Sequence, residues 1–140
     1  MLRAKIVWLI VILAVAGLVL SGYLTWYGFT TSVGVCPLTG PFGCSAVLTS
    51  VYSKIGMMPV AVLGVVWFLV AALIGILLSN DEKWLKHLLV WSVIGLVGIA
   101  SLEYVQIFLV GQICVLCVSS HVFGLTILVL TAGLWLTKGK

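Results

Sequence analysis

Four uninterrupted apolar blocks, at about 6–26, 58–78, 88–110 and 113–136, constrain this chain more than any other feature. Each is close to the roughly 20 residues that a helix needs to cross bilayer hydrocarbon. In lipid, every backbone N–H and C=O must be satisfied within its own segment, and a helix does this. Charged residues make up only 7% of the 140-residue chain and hydrophobic ones 64%. A water-soluble domain would carry about a quarter Asp, Glu, Lys and Arg. The sequence therefore predicts an all-α integral membrane protein, a four-helix bundle forming one domain, with one sizeable loop over 27–57. It carries no long repeat, no low-complexity tail and no nucleic-acid signature.

The formal net charge of +4 is read as orientation. Arg3 and Lys5 precede the first block, Lys83 and Lys86 lie between the second and third, and Lys138 and Lys140 end the chain. With four spans these places share one face, and the opposite face holds only Lys54. Basic residues collect on the cytoplasmic side, so both termini are expected there. A cleaved signal peptide over 1–22 is the alternative. The apolar block is too long for one, and Ser21-Gly22-Tyr23 is a poor cleavage site. Trp8, Trp84 and Trp135 fall near the inner boundary; Tyr23, Trp26, Tyr27 and Tyr52 fall near the outer one, the depths amphipathic rings prefer. Gly17 with Ser21, Ala71 with Gly75, and Gly95 with Gly98 are candidate points of close helix approach.

The chain has four cysteines, and this topology puts all of them at the outer face. Cys36 and Cys44 lie in the long loop, Cys114 and Cys117 where the fourth span begins. Thiols outside the cytoplasm meet an oxidising environment, and four cysteines allow three pairings. Cys114 and Cys117 have the Cys-x-x-Cys spacing of redox dithiols and share a helix face. The unpaired amides and dipole of the helix start are expected to stabilise a thiolate at Cys114. The Cys36–Cys44 segment holds two prolines and two glycines, so it is turn-rich. It can bring its cysteines together or swing one toward Cys114. Two exchanging pairs on one face would make an electron relay. Three other readings stand beside this one: static structural disulfides, a zinc site of four cysteines, and incidental placement. The seven-residue gap between Cys36 and Cys44 exceeds the usual zinc spacing.

At these residues the chain resembles the vitamin K epoxide reductase family, specifically its prokaryotic disulfide-forming homologues without a fused thioredoxin-like domain. The resemblance covers nearly the whole chain: four spans, a loop pair Cys36 and Cys44 after the first, and Cys114-Val-Leu-Cys117 opening the fourth. Ser50, six residues after Cys44, falls at the family's hydroxyl position, and 45–54 looks like its short surface half-helix. The resemblance implies a quinone-linked thiol–disulfide oxidoreductase in a prokaryotic cell membrane. A separate thioredoxin-like protein (DsbA- or PDI-like) would pass electrons to Cys36. Cys44 would then attack Cys114, and the freed Cys117 would face a quinone such as menaquinone or ubiquinone. The animal enzymes hold the ring with an asparagine early in the second span, where the best match here is Val60. They also have a tyrosine four residues after the last cysteine, and here that position is His121. Epoxide reduction is therefore not transferred. The rivals are a non-catalytic membrane protein stapled by disulfides and a vitamin K reductase proper.

Glu103 is the one carboxylate inside a span, about 10 Å from its outer end at 1.5 Å per residue. Such groups face the bundle and are functional by default. Gln106 shares its face. The two are candidates for a proton path or a quinone contact; the structural alternative is a carboxyl that only fixes packing. His121, one turn below Cys117 on the same face, is a candidate to protonate or bond the quinone; the alternative is a packed histidine bonded to a carbonyl. Ser119 and Ser120 are expected to bond back to the preceding turn. Trp67 and Phe68 are read as packing residues more readily than as ring contacts. The whole is expected to be a monomer with a quinone slot near the outer face, capped by the 27–57 loop.

Overall fold

A computed structural model describes residues 1–30 and 43–139. Four helices among these are long and apolar enough to span a bilayer. Helix α1 runs Leu2–Thr30, α3 Ala61–Asn80, α4 Trp84–Tyr104 and α5 Val115–Lys138, with a short α2 at Cys44–Leu48. The protein is an all-α membrane bundle. Helix α1 packs on α3, α3 on α4, α4 on α5, and α5 returns to α1, closing the ring.

Small residues set how closely the helices approach. A Cβ added to Gly17 would meet the Phe68 ring, and one added to Gly95 would lie 2.5 Å from the Trp67 indole. Trp67 spans the α3–α4 interface: its Nε1 donates to the Trp91 carbonyl at 3.2 Å, and Trp91 Nε1 donates to the Trp67 carbonyl at 3.0 Å. Each indole thereby satisfies its N–H in an apolar interior. Gly75 faces Val11 in the same close manner. Gly98 differs from the expectation, because nothing lies within 4 Å of an added Cβ there. It borders open space instead of a neighbouring helix.

The ends of the spans depart from the sequence reading for local reasons. The second span begins at Ala61 because Met58–Pro59 (β2) pairs antiparallel with Lys54–Ile55 (β1). Gly56 turns this hairpin at φ 66°, a left-handed conformation that glycine takes without steric penalty. Pro59 then packs on Gly28 of α1. The half-helix expected over 45–54 is divided: α2 stops at Leu48, and a single 3-10 turn follows at Val51–Ser53. The hydroxyls of Ser50 and Ser53 bond the carbonyls of Val47 and Leu48 at 2.8 and 2.7 Å. These bonds satisfy the orphan acceptors of the helix end and stop it. Helix α4 continues into a π-helical turn at Val105–Val110, where an unbroken α-helix was expected.

At one end of the bundle Glu82 pairs with both Arg3 and Lys138. The N-terminal segment, the α3–α4 connection and the end of α5 thus meet. The described cysteines lie at the other end, where α5 begins.

Candidate functional site

Cys114 is the N-cap of α5, with extended backbone, and its sulfur accepts the Cys117 N–H at 3.3 Å. Its own N–H donates to Gln106 Oε1 at 2.8 Å. That second bond depends on the π-helical turn. The Gln106 carbonyl takes the N–H groups of Gly111 and Gln112, Gly111 closes the turn at φ 70°, and the buried Gln106 side chain reaches Cys114.

Cys44 opens α2, and both Cys44 and Cys114 are fully buried. They form a small cluster with Val47, against which Leu48, Val110, Leu116 and Cys117 pack. The Cys114 thiol interacts with the side chains of both Cys117 and Cys44. One sulfur therefore touches members of two pairs. The structure brings Cys44, Cys114 and Cys117 together. Cys36 lies outside the described residues, and so do the Cys36–Cys44 pairing and any four-cysteine metal set.

The expectation of a stabilised thiolate at Cys114 is corrected. The amide contact from the helix start is present, but the Cys117 side chain beside it and burial push the Cys114 thiol well above the ordinary range. The Cys117 side chain and burial together oppose charge more strongly than the Cys117 amide favours it.

Cys117 opens on a cavity of about 510 Å³ between the four long helices, roofed by the segment that includes Ser50, Tyr52 and Ile55. Its walls are mostly apolar, with Leu24, Leu63, Trp67, Phe68, Ile94 and Ile99 among them. Its polar lining side chains are Ser21, Ser50, Tyr52, Ser53, Ser101, Gln106, Cys117, Ser120 and His121. Gly98 borders the same space, which explains its lack of neighbours. Val60, where an amide would stand in the animal enzymes, is also at the wall. Trp67 and Phe68 both pack between helices and line the cavity, so the two readings of them were not exclusive. Ser119 and Ser120 bond back to the carbonyls of Val115 and Cys117 at 2.8 Å, as expected.

Glu103 does not line the cavity. It stands behind His121, whose Nδ1 lies 2.5 Å from Glu103 Oε1. Gln106 Nε2 approaches the same carboxylate oxygen at 3.5 Å. A polar chain therefore runs from His121 through Glu103 and Gln106 to the Cys114 amide. Sequence reasoning put Glu103 and Gln106 on one face and missed the ties to His121 and to the Cys114 amide; the tie to His121 depends on how α4 and α5 are rotated against each other. It also missed Tyr52 and Ser21 at the cavity wall, which carry no motif.

A comparison with curated proteins gives no match. A sequence profile of the vitamin K epoxide reductase family matches residues 8–132 of the 140-residue chain. That stretch takes in all three described cysteines, the cavity and most of every long helix, so the chain belongs to the vitamin K epoxide reductase family of membrane oxidoreductases, which are generally linked to quinones.

Proposed function

We propose that this protein oxidises a thioredoxin-like partner and passes the electrons to a membrane quinone, supporting disulfide formation outside the cytoplasm. The observation that carries this reading is the buried cluster that packs Cys44, Cys114 and Cys117 together, with Cys117 at the wall of an apolar cavity. Exchange between two pairs needs their sulfurs in such reach, because it proceeds by attack of one sulfur on another. The cavity suits a quinone. Its volume lies within the range of small-molecule sites, which pair apolar walls with a few orienting polar groups. Ser50, Gln106 and His121 are the residues that would hold the ring oxygens, and Trp67 and Phe68 its faces.

The steps balance. The partner's two thiols become its disulfide and open Cys36–Cys44 to two thiols. Cys44 then attacks Cys114 and expels Cys117. Cys36 closes back on Cys44 and leaves Cys114 and Cys117 as a dithiol. When these two close to a disulfide, they give up two electrons and two protons. A bound quinone supplies an acceptor for both. The basic residues at 3, 5, 83, 86 and 138 support a cytoplasmic placement of both termini, with the cysteines on the extracytoplasmic side.

Trapping tests the route. With Cys36 and Cys117 both changed to Ala, a stable Cys44–Cys114 disulfide should accumulate under mild oxidation. A chain that yields none, while remaining folded, refutes the relay. Anaerobic mixing of reduced partner with the parent protein and a menaquinone or ubiquinone analogue should change quinone absorbance; no change with any quinone refutes the acceptor.

A further inference from the structure

We infer that Glu103 and His121 act as a carboxylate–imidazole pair that carries the Cys117 thiol proton to a quinone oxygen. This rests on the function proposed above and assigns the proton handling within it. Three placements lead there. His121 and Cys117 are four residues apart on α5, neighbours on one helix face, and both line the cavity. Glu103 is absent from the cavity wall and touches His121 Nδ1 at 2.5 Å, so it acts through the ring. Both side chains are largely covered, at 13% and 28% exposure.

A carboxylate in a membrane span is retained where it has partners and a task. Here its partners are the imidazole and, at 3.5 Å, the Gln106 amide. Engaging Nδ1 orients the ring and leaves Nε2 to act. The other cavity groups suit the task less well. The Ser50 and Ser120 hydroxyls donate to backbone carbonyls, and Tyr52 sits on the roof segment. Imidazole is the side chain that both takes and returns a proton near neutral pH.

The step is as follows. Cys117 gives its thiol proton to His121 Nε2, and its sulfur bonds to Cys114, whose proton leaves toward the outer boundary. The electron pair released reduces the quinone. His121 returns its proton to one ring oxygen, and the second oxygen is protonated from the outer boundary. Glu103 holds the imidazolium in the interval and is a positioning residue.

Two quinone-free measurements test the pair. In the reduced full chain at pH 7, alkylation of Cys117 by iodoacetamide, read by mass spectrometry, should slow at least 10-fold in His121→Gln and several-fold in Glu103→Gln, as removing a general base does. In the unaltered protein, 15N NMR of His121 should show a neutral ring with its proton on Nδ1. This measurement stands even if a variant fails to fold. Single-turnover quinone reduction should fall about 10²–10⁴-fold in His121→Gln. Alkylation within twofold of the parent in a folded His121→Gln protein, or a ring protonated on Nε2, overturns the pair. Cys44–Cys114 trapping separates the two levels. If it persists in both variants while alkylation is unchanged, only the pair is wrong. If the parent never reduces a quinone, the function itself is wrong.

Discussion

Gly95→Ala isolates the packing that shapes the cavity. The added Cβ would lie 2.5 Å from the Trp67 indole, so the ring must move. Moving it overpacks a filled interface, which costs about 1–3 kcal/mol. It also strains the two reciprocal indole–carbonyl bonds between Trp67 and Trp91, each contributing on the order of 0.6 kcal/mol between membrane helices. Alanine gains about 1 kcal/mol of helix propensity over glycine. Gly98→Ala makes the same propensity gain on the same helix with nothing within 4 Å, so it is the matched control. The difference between the two variants is then packing and hydrogen bonding alone, about 2–4 kcal/mol. Reversible unfolding in mixed micelles reads this difference. Trp67→Phe should recover part of the loss in the Gly95→Ala background and worsen stability alone, giving a favourable coupling in a double-mutant cycle. Equal stabilities for Gly95→Ala and Gly98→Ala, within about 0.5 kcal/mol, would refute the assignment of Trp67 to this contact.

Two further outcomes are expected at the start of α5. Gln106→Leu leaves the buried Cys114 N–H without its 2.8 Å acceptor. It should destabilise the protein by about 1–3 kcal/mol and slow formation of the trapped Cys44–Cys114 disulfide, read by gel mobility. Gly111→Ala forces a side chain into φ 70° and should cost about 1–2 kcal/mol in the same unfolding assay. Gly111→Asn should cost less, since asparagine tolerates the left-handed region.

The spans were legible because hydrocarbon imposes one rule on every residue they contain. Twenty apolar positions read the same way wherever the helix packs. Their ends were less legible, because each end is set by a few polar bonds. Pro59 belongs to a hairpin, and the hydroxyls of Ser50 and Ser53 stop α2. Nothing in the hydropathy of 105–110 marks a π-helical turn. Yet that turn puts Gln106 on the Cys114 amide. The Cys-x-x-Cys spacing placed Cys114 and Cys117 at a helix start, where they are found. The closeness of Cys44 to Cys114, across 70 residues of chain, came from the family resemblance and not from spacing. Glu103 and His121 were each visible as polar residues in apolar surroundings. Their pairing was not, because it is a property of two helices and the angle between them.

The buried state of Cys114 also bears on the direction of the proposed relay. A disulfide between Cys114 and Cys117 has two sulfurs open to attack, and the one not attacked leaves as a thiolate. The lower the leaving thiol's pKa, the faster it leaves. The Cys117 side chain and burial hold the Cys114 thiol high, and a thiol held high leaves slowly. Cys44 shares a buried cluster with Cys114, so the geometry offers it that sulfur. The sulfur released by that attack would be that of Cys117, at the cavity wall and one helical turn from His121. A Cys114 thiol shifted up is thus consistent with exchange chemistry once Cys114 is taken as the struck sulfur.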